Sequence, residues 1–361
     1  MKKKKIFLAA YVNYLNAQNI NCRSIANHLD KTKYEIKTVI LSESKSIDLE
    51  NVSIIKARNN KLSIFYAFLR GIIWADVAYL PKHQSNPRIL LRISKIFGTK
   101  LFTTIEGNMC DTKKRSMIDS FNGLQNMQNY FSLIPNIYGI TKHIVDNASC
   151  GVMLKNKPLY LGVEKDCFFP VKKHSLKNIV FIGSLIRRKN IEEFFRLAHI
   201  FPNLQFHVIG NKKYLKITKK RKKNLQDQWE NKIDKNKFLE ISDNIVLHGK
   251  VKREELSDIL KEIDLLFLPS RSEGFPKVIL EAAASAIPSI VYHDYGALEW
   301  IEVNKNGFVI NSFDDVIDLI NQMIHKPDLL KKTSEGALDL AEKFDWKRII
   351  KAWEYEIDNL R

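Results

Sequence analysis

The sequence predicts an α/β fold in which two parallel-sheet domains of similar size enclose a cleft. Three observations predict it. At 361 residues the chain is too long for one ordinary core. Apolar runs of strand length alternate with helical stretches in both halves, the pattern of a parallel sheet covered on both faces. A polar, proline-bearing break at residues 164–175 separates the two series and reads as the linker. The apolar share, 45%, is that of a globular chain.

The run at 6–10 reads as the opening strand, because buried parallel strands are almost continuously apolar. Lys2 to Lys5 lead into it, and polar residues end it too soon for a signal peptide. A polar loop at 13–21 follows, then a helix near 22–29 and strands at 35–41 and 52–57. The nearest candidate for a membrane span, 62–80, is interrupted by Arg70 and Asp76. It reads instead as a helix around 64–73 and a strand at 77–80. A helix at 88–97 and a strand at 101–105 follow, and the alternation continues less regularly to 161.

The second series starts with a strand at 178–182, a helix at 191–199 and a strand at 205–209. A long lysine-rich stretch, partly helical in pattern, covers 211–241. A strand at 245–248, a helix at 253–263 and a strand at 265–268 lead to an apolar helix that carries a glutamate. A strand at 289–292 and helical segments finish the chain. Ligands of open parallel sheets sit beyond the carboxyl ends of the strands. The loops after residues 10, 105, 182 and 268 are therefore where site residues are sought.

The net charge of +18 implies attraction to polyanions such as anionic lipid, nucleic acid or a phosphorylated substrate. The positive charge concentrates at 2–5, at 187–189 and in the cluster from Lys212 to Lys223. That last cluster reads as a solvated helix face or as a contact for anionic lipid headgroups. Nucleic acid is the least favoured partner, since no nucleic-acid fold motif accompanies it. The four cysteines, Cys22, Cys110, Cys150 and Cys167, form no CxxC pair and show no metal-ligand spacing, which fits a reducing cytosol.

The stretch SRSEGFPKVILEAAASAIP, residues 270–288, is the most informative. It places Glu273 in a Gly/Pro turn and Glu281 eight positions later, in an otherwise apolar helix. Pro276 suits the first helical position, where its missing N–H costs nothing. The amides of Gly274, Phe275 and Lys277 are then placed to meet an anion. Glu281 stands five residues on, about 7.5 Å along the axis at about 1.5 Å per residue. That matches the reach from a phosphate to the ribose of one nucleotide, and a carboxylate accepts two hydroxyl hydrogen bonds well. The plainer alternative is a core helix with Glu281 paired to a structural arginine.

The string EGFPKVILEAAASAIP resembles the E-x7-E motif of the retaining glycosyltransferases of family 4, whose GT-B fold comprises two Rossmann-like domains. The flanks agree: NIVLHGKVKREELSDILKEIDLLFLPSRS before it and IVYHDYGALEWIEVNKNGFVI after it are similar to that family's C-terminal half. LGVEKDCFFP resembles the interdomain segment, and FIGSLIRRKN the phosphate loop. The resemblance implies domains at 1–165 for the acceptor and 166–340 for the nucleotide sugar. It also implies a closing segment, 341–361, whose helix crosses back to the first domain.

Roles follow from the same resemblance. Glu281 would hold the ribose hydroxyls and Glu273 would face the donor sugar. Lys189 would meet the diphosphate beside Gly183 and the amides of the 274–277 turn. The family's phosphate-loop arginine is Ser184 here, leaving Arg187 or Arg188 to supply the charge. The family's acceptor-side histidine is Glu106 here, which would accept an acceptor hydroxyl or serve as a strand-end structural carboxylate. Asn16, Gln18 and Asn19 in the first loop, and His143, are acceptor-side candidates. His83 and His293 read as structural. No DxD pair is present on the cleft loops, so side-chain cations rather than a metal would neutralise the leaving diphosphate, with no cofactor beyond the donor.

The reading is thus a metal-independent, retaining hexosyltransferase-type glycosyltransferase. It would move a sugar from a nucleotide diphosphate sugar to a saccharide or lipid-linked saccharide hydroxyl, in the cytoplasm or at the inner face of the membrane, in cell-surface polysaccharide synthesis. The alternatives are a nucleotide-sugar epimerase of the same fold and a non-catalytic nucleotide-sugar or glycan-binding protein.

Overall fold

The structure, a computed structural model, describes residues 2–14, 16–45, 47–83, 86–112, 116–210 and 242–360. The chain divides into two compact units: Met1–Gly162 with Trp346–Arg361, and Val163–Asp345. Val163 and Asp345, where the chain enters and leaves the second unit, form a parallel bridge.

The first unit is built on six parallel strands: β1 (Lys4–Tyr11), β2 (Tyr34–Leu41), β3 (Val52–Ala57), β4 (Val77–Tyr79), β5 (Lys100–Ile105) and β6 (Asn136–Gly139). Their order is β3-β2-β1-β4-β5-β6. Side chains alternate across a strand, and the first sheet is covered on both faces by β1, β4 and β5 side chains. Phe7 meets Phe68 of the helix Lys61–Trp74 at 6.0 Å between ring centroids. Tyr79 and Phe102 instead meet Trp353 of the helix Trp346–Asp358, at 5.2 and 6.1 Å. The Trp353 indole N–H donates to the Tyr160 carbonyl at 2.8 Å. Tyr34 and Tyr138 donate to Asp358 and Glu356 at 3.0 and 2.8 Å. The last helix is thereby fastened to the first sheet by apolar burial and by satisfied phenols.

The second unit repeats the plan with β7 (Asn178–Ile182), β8 (Gln205–Ile209), β9 (Ile245–Gly249), β10 (Leu265–Leu268), β11 (Ser289–Tyr292) and β12 (Gly307–Ile310). The order is β12-β11-β10-β7-β8-β9, again wholly parallel. Numbered within its unit, each sheet runs 3-2-1-4-5-6, the doubly wound order. The strand order reverses between β1 and β4 in the first sheet and between β7 and β10 in the second, and these are the switch points. These are the two Rossmann-like parallel-sheet domains of the GT-B architecture.

Two expectations are corrected. The loop expected at 13–21 is shorter, because a helix already begins at Ala17 and runs to His28. Asn16 starts it: its backbone is extended and its side-chain oxygen accepts from the Asn19 amide at 2.9 Å, an N-cap. The reading of a fully reduced cysteine set also fails. Cys110 and Cys150 form a disulfide, leaving Cys22 and Cys167 as thiols. Chain spacing gave no sign of it, since the pair joins the loop after β5 to the segment beyond the helix Lys142–Asp146, 40 positions away.

Candidate functional site at the second switch point

The loops that leave β7 and β10 start from adjacent strands, so residues distant in sequence meet at their ends. Gly183 follows β7 directly and its amide donates to the Ile209 carbonyl at 2.9 Å. The turn lies so close to the end of β8 that a Cβ on Gly210 would stand 2.0 Å from the Gly183 oxygen, so only glycine fits there. A short 3-10 turn, Arg187–Lys189, then precedes the helix Ile191–Ile200, and Asn190 between them is left-handed at φ 50°. This turn aims Lys189 and Arg188 at the loop after β10.

There they meet Glu273. The Lys189 ammonium bonds to one carboxylate oxygen of Glu273, and Arg188 Nη1 lies 3.1 Å from the other. Arg188 also donates to the Ser272 carbonyl at 2.5 Å. The Glu273 side chain is only 9% exposed, so this is a buried carboxylate with two cations. Burial pushes its carboxyl up, but Lys189 and then Arg188 outweigh that and hold it below the ordinary glutamate value. Burial pulls the Lys189 ammonium down despite Glu273. Within this triad, one negative and two positive groups leave a single net positive charge.

Glu281 has the opposite surroundings. It lies on the helix Lys277–Ala284, whose Ile279, Leu280, Ala282, Ala283 and Ala284 are buried. Pro276 is the N-cap rather than the first helical residue. The Glu281 side chain is half-buried, and no hydrogen bond or ion pair to it forms among the described residues. The structural arginine of the plainer alternative is thus not found there. Phe275 is buried against Trp300 and Phe344, at 4.8 and 5.0 Å, which anchors the turn. Gly274 is half-buried beside it, at the start of that anchored turn. Lys277 is the first residue of the helix.

Ser184 is exposed in the β7 loop, and the candidate Arg188 reaches Glu273. The Arg187 side chain and the cluster from Lys212 to Lys223 lie outside the described residues. Arg271 is a participant that motif reading missed. Its guanidinium lies 3.3 Å over the Tyr292 ring and reaches Glu193 and Asp294 at 3.3 and 3.4 Å. Tyr292 donates to Glu193 at 2.6 Å, so the loops after β7, β10 and β11 are tied beside Glu273.

In the first unit the side chains sort differently. Asn19 is fully buried, accepting from the Tyr11 amide at 3.1 Å and donating to the Tyr14 carbonyl at 3.0 Å. Asn16 caps the helix, and Gln18 donates to the Pro81 carbonyl at 2.9 Å. These amides organise the loop after β1. His143 is half-buried in the helix Lys142–Asp146, beside Asn147 at 3.3 Å. His83 is buried, and burial lowers it to about 4. The Thr103 hydroxyl donates to the Leu80 carbonyl at 2.7 Å, so the His83 Nε2–H donates to Thr103, also at 2.7 Å. His293, half exposed, follows β11 with Nδ1 3.4 Å from the Ile310 carbonyl.

Sequence reading also missed Lys82. It follows β4 at the first switch point, with its ammonium 4.3 Å from the centroid of the Tyr11 ring. Burial lowers it to about 8, against the pull of Cys22 and of Glu106, which follows β5. A cation held partly out of water at a strand end is a recognisable candidate for ligand contact, but only the packing reveals it. Among the described residues, no group of three or more His, Cys, Asp or Glu could hold a metal ion.

Residues 163–339 match the family model Glycosyl transferases group 1. The chain is 26% identical over 202 residues to an uncharacterized glycosyltransferase of Methanocaldococcus jannaschii, covering 55% of this chain and 52% of that protein. The chain thus spans about half the length of the curated relatives it matches. Sucrose-phosphate synthase of Thermosynechococcus elongatus superposes with a TM-score of 0.74 at 14% identity, over 98% of both chains. The HepE protein of Anabaena, solved with UDP and glucose, superposes with a TM-score of 0.73 at 13% identity, over 99% of this chain and 100% of that one. At such identities the likeness is one of fold.

Proposed function

We propose that this chain, whose residues 163–339 match the family model Glycosyl transferases group 1, moves a sugar from a nucleotide diphosphate sugar to an acceptor hydroxyl with retention at the anomeric carbon. The observation that carries the reading is the contrast at the second switch point. A buried Glu273 is held by Lys189 and Arg188, while Glu281, on the next helix, has no side-chain partner among the described residues. The net positive charge suits a diphosphate, and the Glu281 carboxylate suits the two hydroxyls of a ribose. The HepE complex with UDP and glucose is consistent with such a donor.

In this mechanism the acceptor oxygen attacks the anomeric carbon on the face from which the diphosphate departs. The carbon–phosphate-oxygen bond breaks, and the departing phosphate oxygen takes the acceptor proton. Lys189 and Arg188 stabilise the charge that develops on the diphosphate, the effect expected of preorganised cations. Glu273 keeps both cations in place and meets the donor sugar. Lys82 and Glu106, at strand ends of the first unit, serve the acceptor, a saccharide or lipid-linked saccharide. The cations are side chains, so the reaction proceeds without added metal.

The test is incubation with a panel of nucleotide diphosphate sugars, following slow release of nucleotide diphosphate. Release from at least one donor, in the presence of a chelator and abolished by Glu273→Gln, is the expected result. A protein that binds nucleotide diphosphates but never releases product with any acceptor would be a binding protein instead.

A further inference from the structure

The outward side of the first unit carries a surface that the proposed chemistry does not use. Helix Lys61–Trp74 buries Ala67, Phe68, Gly71 and Ile72 toward the sheet. A surface helix ordinarily turns polar residues outward. Here Leu62, Tyr66, Leu69 and Ile73 recur at i, i+4, i+7 and i+11, forming one stripe on the opposite side. Leu62 is 71% exposed and Tyr66 60%. The neighbouring helix Arg88–Ile96 packs alongside and exposes Ile89 and Ile96, the latter to 79%, with Phe97 just beyond. Single exposed apolar residues need no explanation, but a run across two adjacent helices does.

The charge around this patch has one sign. Residues 51–100 hold nine lysines and arginines and a single acid, Asp76. The Asp76 carboxylate accepts from the Lys5 amide at 2.8 Å, at the start of β1. Arg58, Lys61, Arg70, Arg92 and Lys95 are exposed on or beside the two helices. Two copies of this face brought together would set basic against basic. A protein interface gathers apolar groups at its centre and polar groups at its rim. Here they interleave, with Arg92 and Lys95 lying between Ile89 and Ile96 along the helix. That mixture fits the boundary layer of a bilayer, where apolar side chains enter the acyl region and cations meet headgroup phosphates.

We propose that the helices Lys61–Trp74 and Arg88–Ile96 form a docking face that lies on an anionic lipid bilayer. The contact is peripheral: no helix among the described residues is long and apolar enough to cross a membrane. The inference does not rest on the transfer activity.

Full-length protein is sedimented with vesicles of phosphatidylglycerol mixed with phosphatidylcholine, and with vesicles of phosphatidylcholine alone. Wild type binds the first, with affinity falling as salt rises, and not the second. Neutralising a cation near the surface weakens binding by about fivefold, so Arg70→Gln, Arg92→Gln and Lys95→Gln together cost about a hundredfold. Leu62→Ser with Ile96→Ser weakens binding while keeping its salt dependence. Both sets change outward side chains, so unfolding midpoints stay at wild-type values. Wild type that ignores anionic vesicles, equal binding to both vesicle types, or variants that bind like wild type would overturn the proposal. So would concentration-dependent dimerisation lost in the same variants, which would make the face a contact between copies.

Discussion

In the second unit the loops after β7 and β10 bring a buried carboxylate against two cations. In the first unit the corresponding loops, after β1 and β4, bring one cation over an aromatic ring. The strand order is the same in both sheets. The difference teaches that topology chooses where side chains converge, and that local chemistry chooses what the convergence can bind. A net positive, rigidly paired cluster suits a diphosphate. A single cation whose charge is easily lost suits a more neutral partner, such as a sugar hydroxyl.

The comparison breaks most sharply at Glu273. Glu273→Gln or Lys189→Met should lower nucleotide diphosphate release by about a hundredfold to a thousandfold, the usual size for losing a preorganised charge. Lys189→Met also leaves the buried Glu273 carboxylate with Arg188 alone, which should lower stability by about 1–3 kcal/mol in denaturant unfolding. Lys82→Met should do neither to that extent, and equal losses at both positions would erase the distinction between the switch points.

A covalent difference comes next. The first unit carries the disulfide Cys110–Cys150. Cys110→Ser should destabilise it by about 3–4 kcal/mol on the loop-closure model, seen as a lower unfolding midpoint that reductant cannot lower further. The second unit's Cys167 is an exposed thiol, and Cys167→Ser should leave the midpoint unchanged.

Glu281→Gln sharpens the contrast within the second unit. The side chain has no partner among the described residues, so stability should shift by no more than about 0.5 kcal/mol. Nucleotide diphosphate affinity, measured by calorimetry, should fall by about tenfold, as for one charge-assisted hydrogen bond. Unchanged affinity would remove Glu281 from the donor site.

The smallest effect is the pH response of Lys82. Its folded value, about 8, is below that of a free lysine. The cost of burying the ammonium is therefore fully present below about pH 8 and fades as pH rises toward the ordinary lysine value, about 10.4. Wild type should gain stability over that window relative to Lys82→Met, in unfolding measured at several pH values. Acceptor KM should rise above about pH 8 as the charge is lost, and Lys82→Arg should flatten that rise.

Much of the fold was legible in the sequence. The strands at 178–182, 205–209, 265–268 and 289–292 were readable to the residue because buried parallel strands are short apolar runs, and the edge strand at 52–57 was readable as a short β-branched stretch. The helix of residues 17–21 was misread as loop because Asn16 and Gln18 are equally at home in either, and only the cap bond decides. Of the candidate site, the Glu273 and Glu281 turn was legible through its spacing and flanks. Arg188 was one of two choices, and Lys82 and Arg271 were invisible because nothing local marks a lysine that will lie over Tyr11 or an arginine over Tyr292.

By itself the sequence determined the α/β class, the break between two series of elements, and the glutamate pair on its turn and helix. These depend on the periodicity of neighbouring residues, which the backbone geometry of helix and strand imposes directly. Only the tertiary structure decided that Lys189 meets Glu273 across 84 positions, that Asn16 and Asn19 organise their own loop, that Cys110 finds Cys150, and that Leu62, Tyr66 and Ile73 face outward. Such contacts depend on which strands become neighbours and which helix face the sheet has already covered, and neither is encoded within any one stretch of the chain.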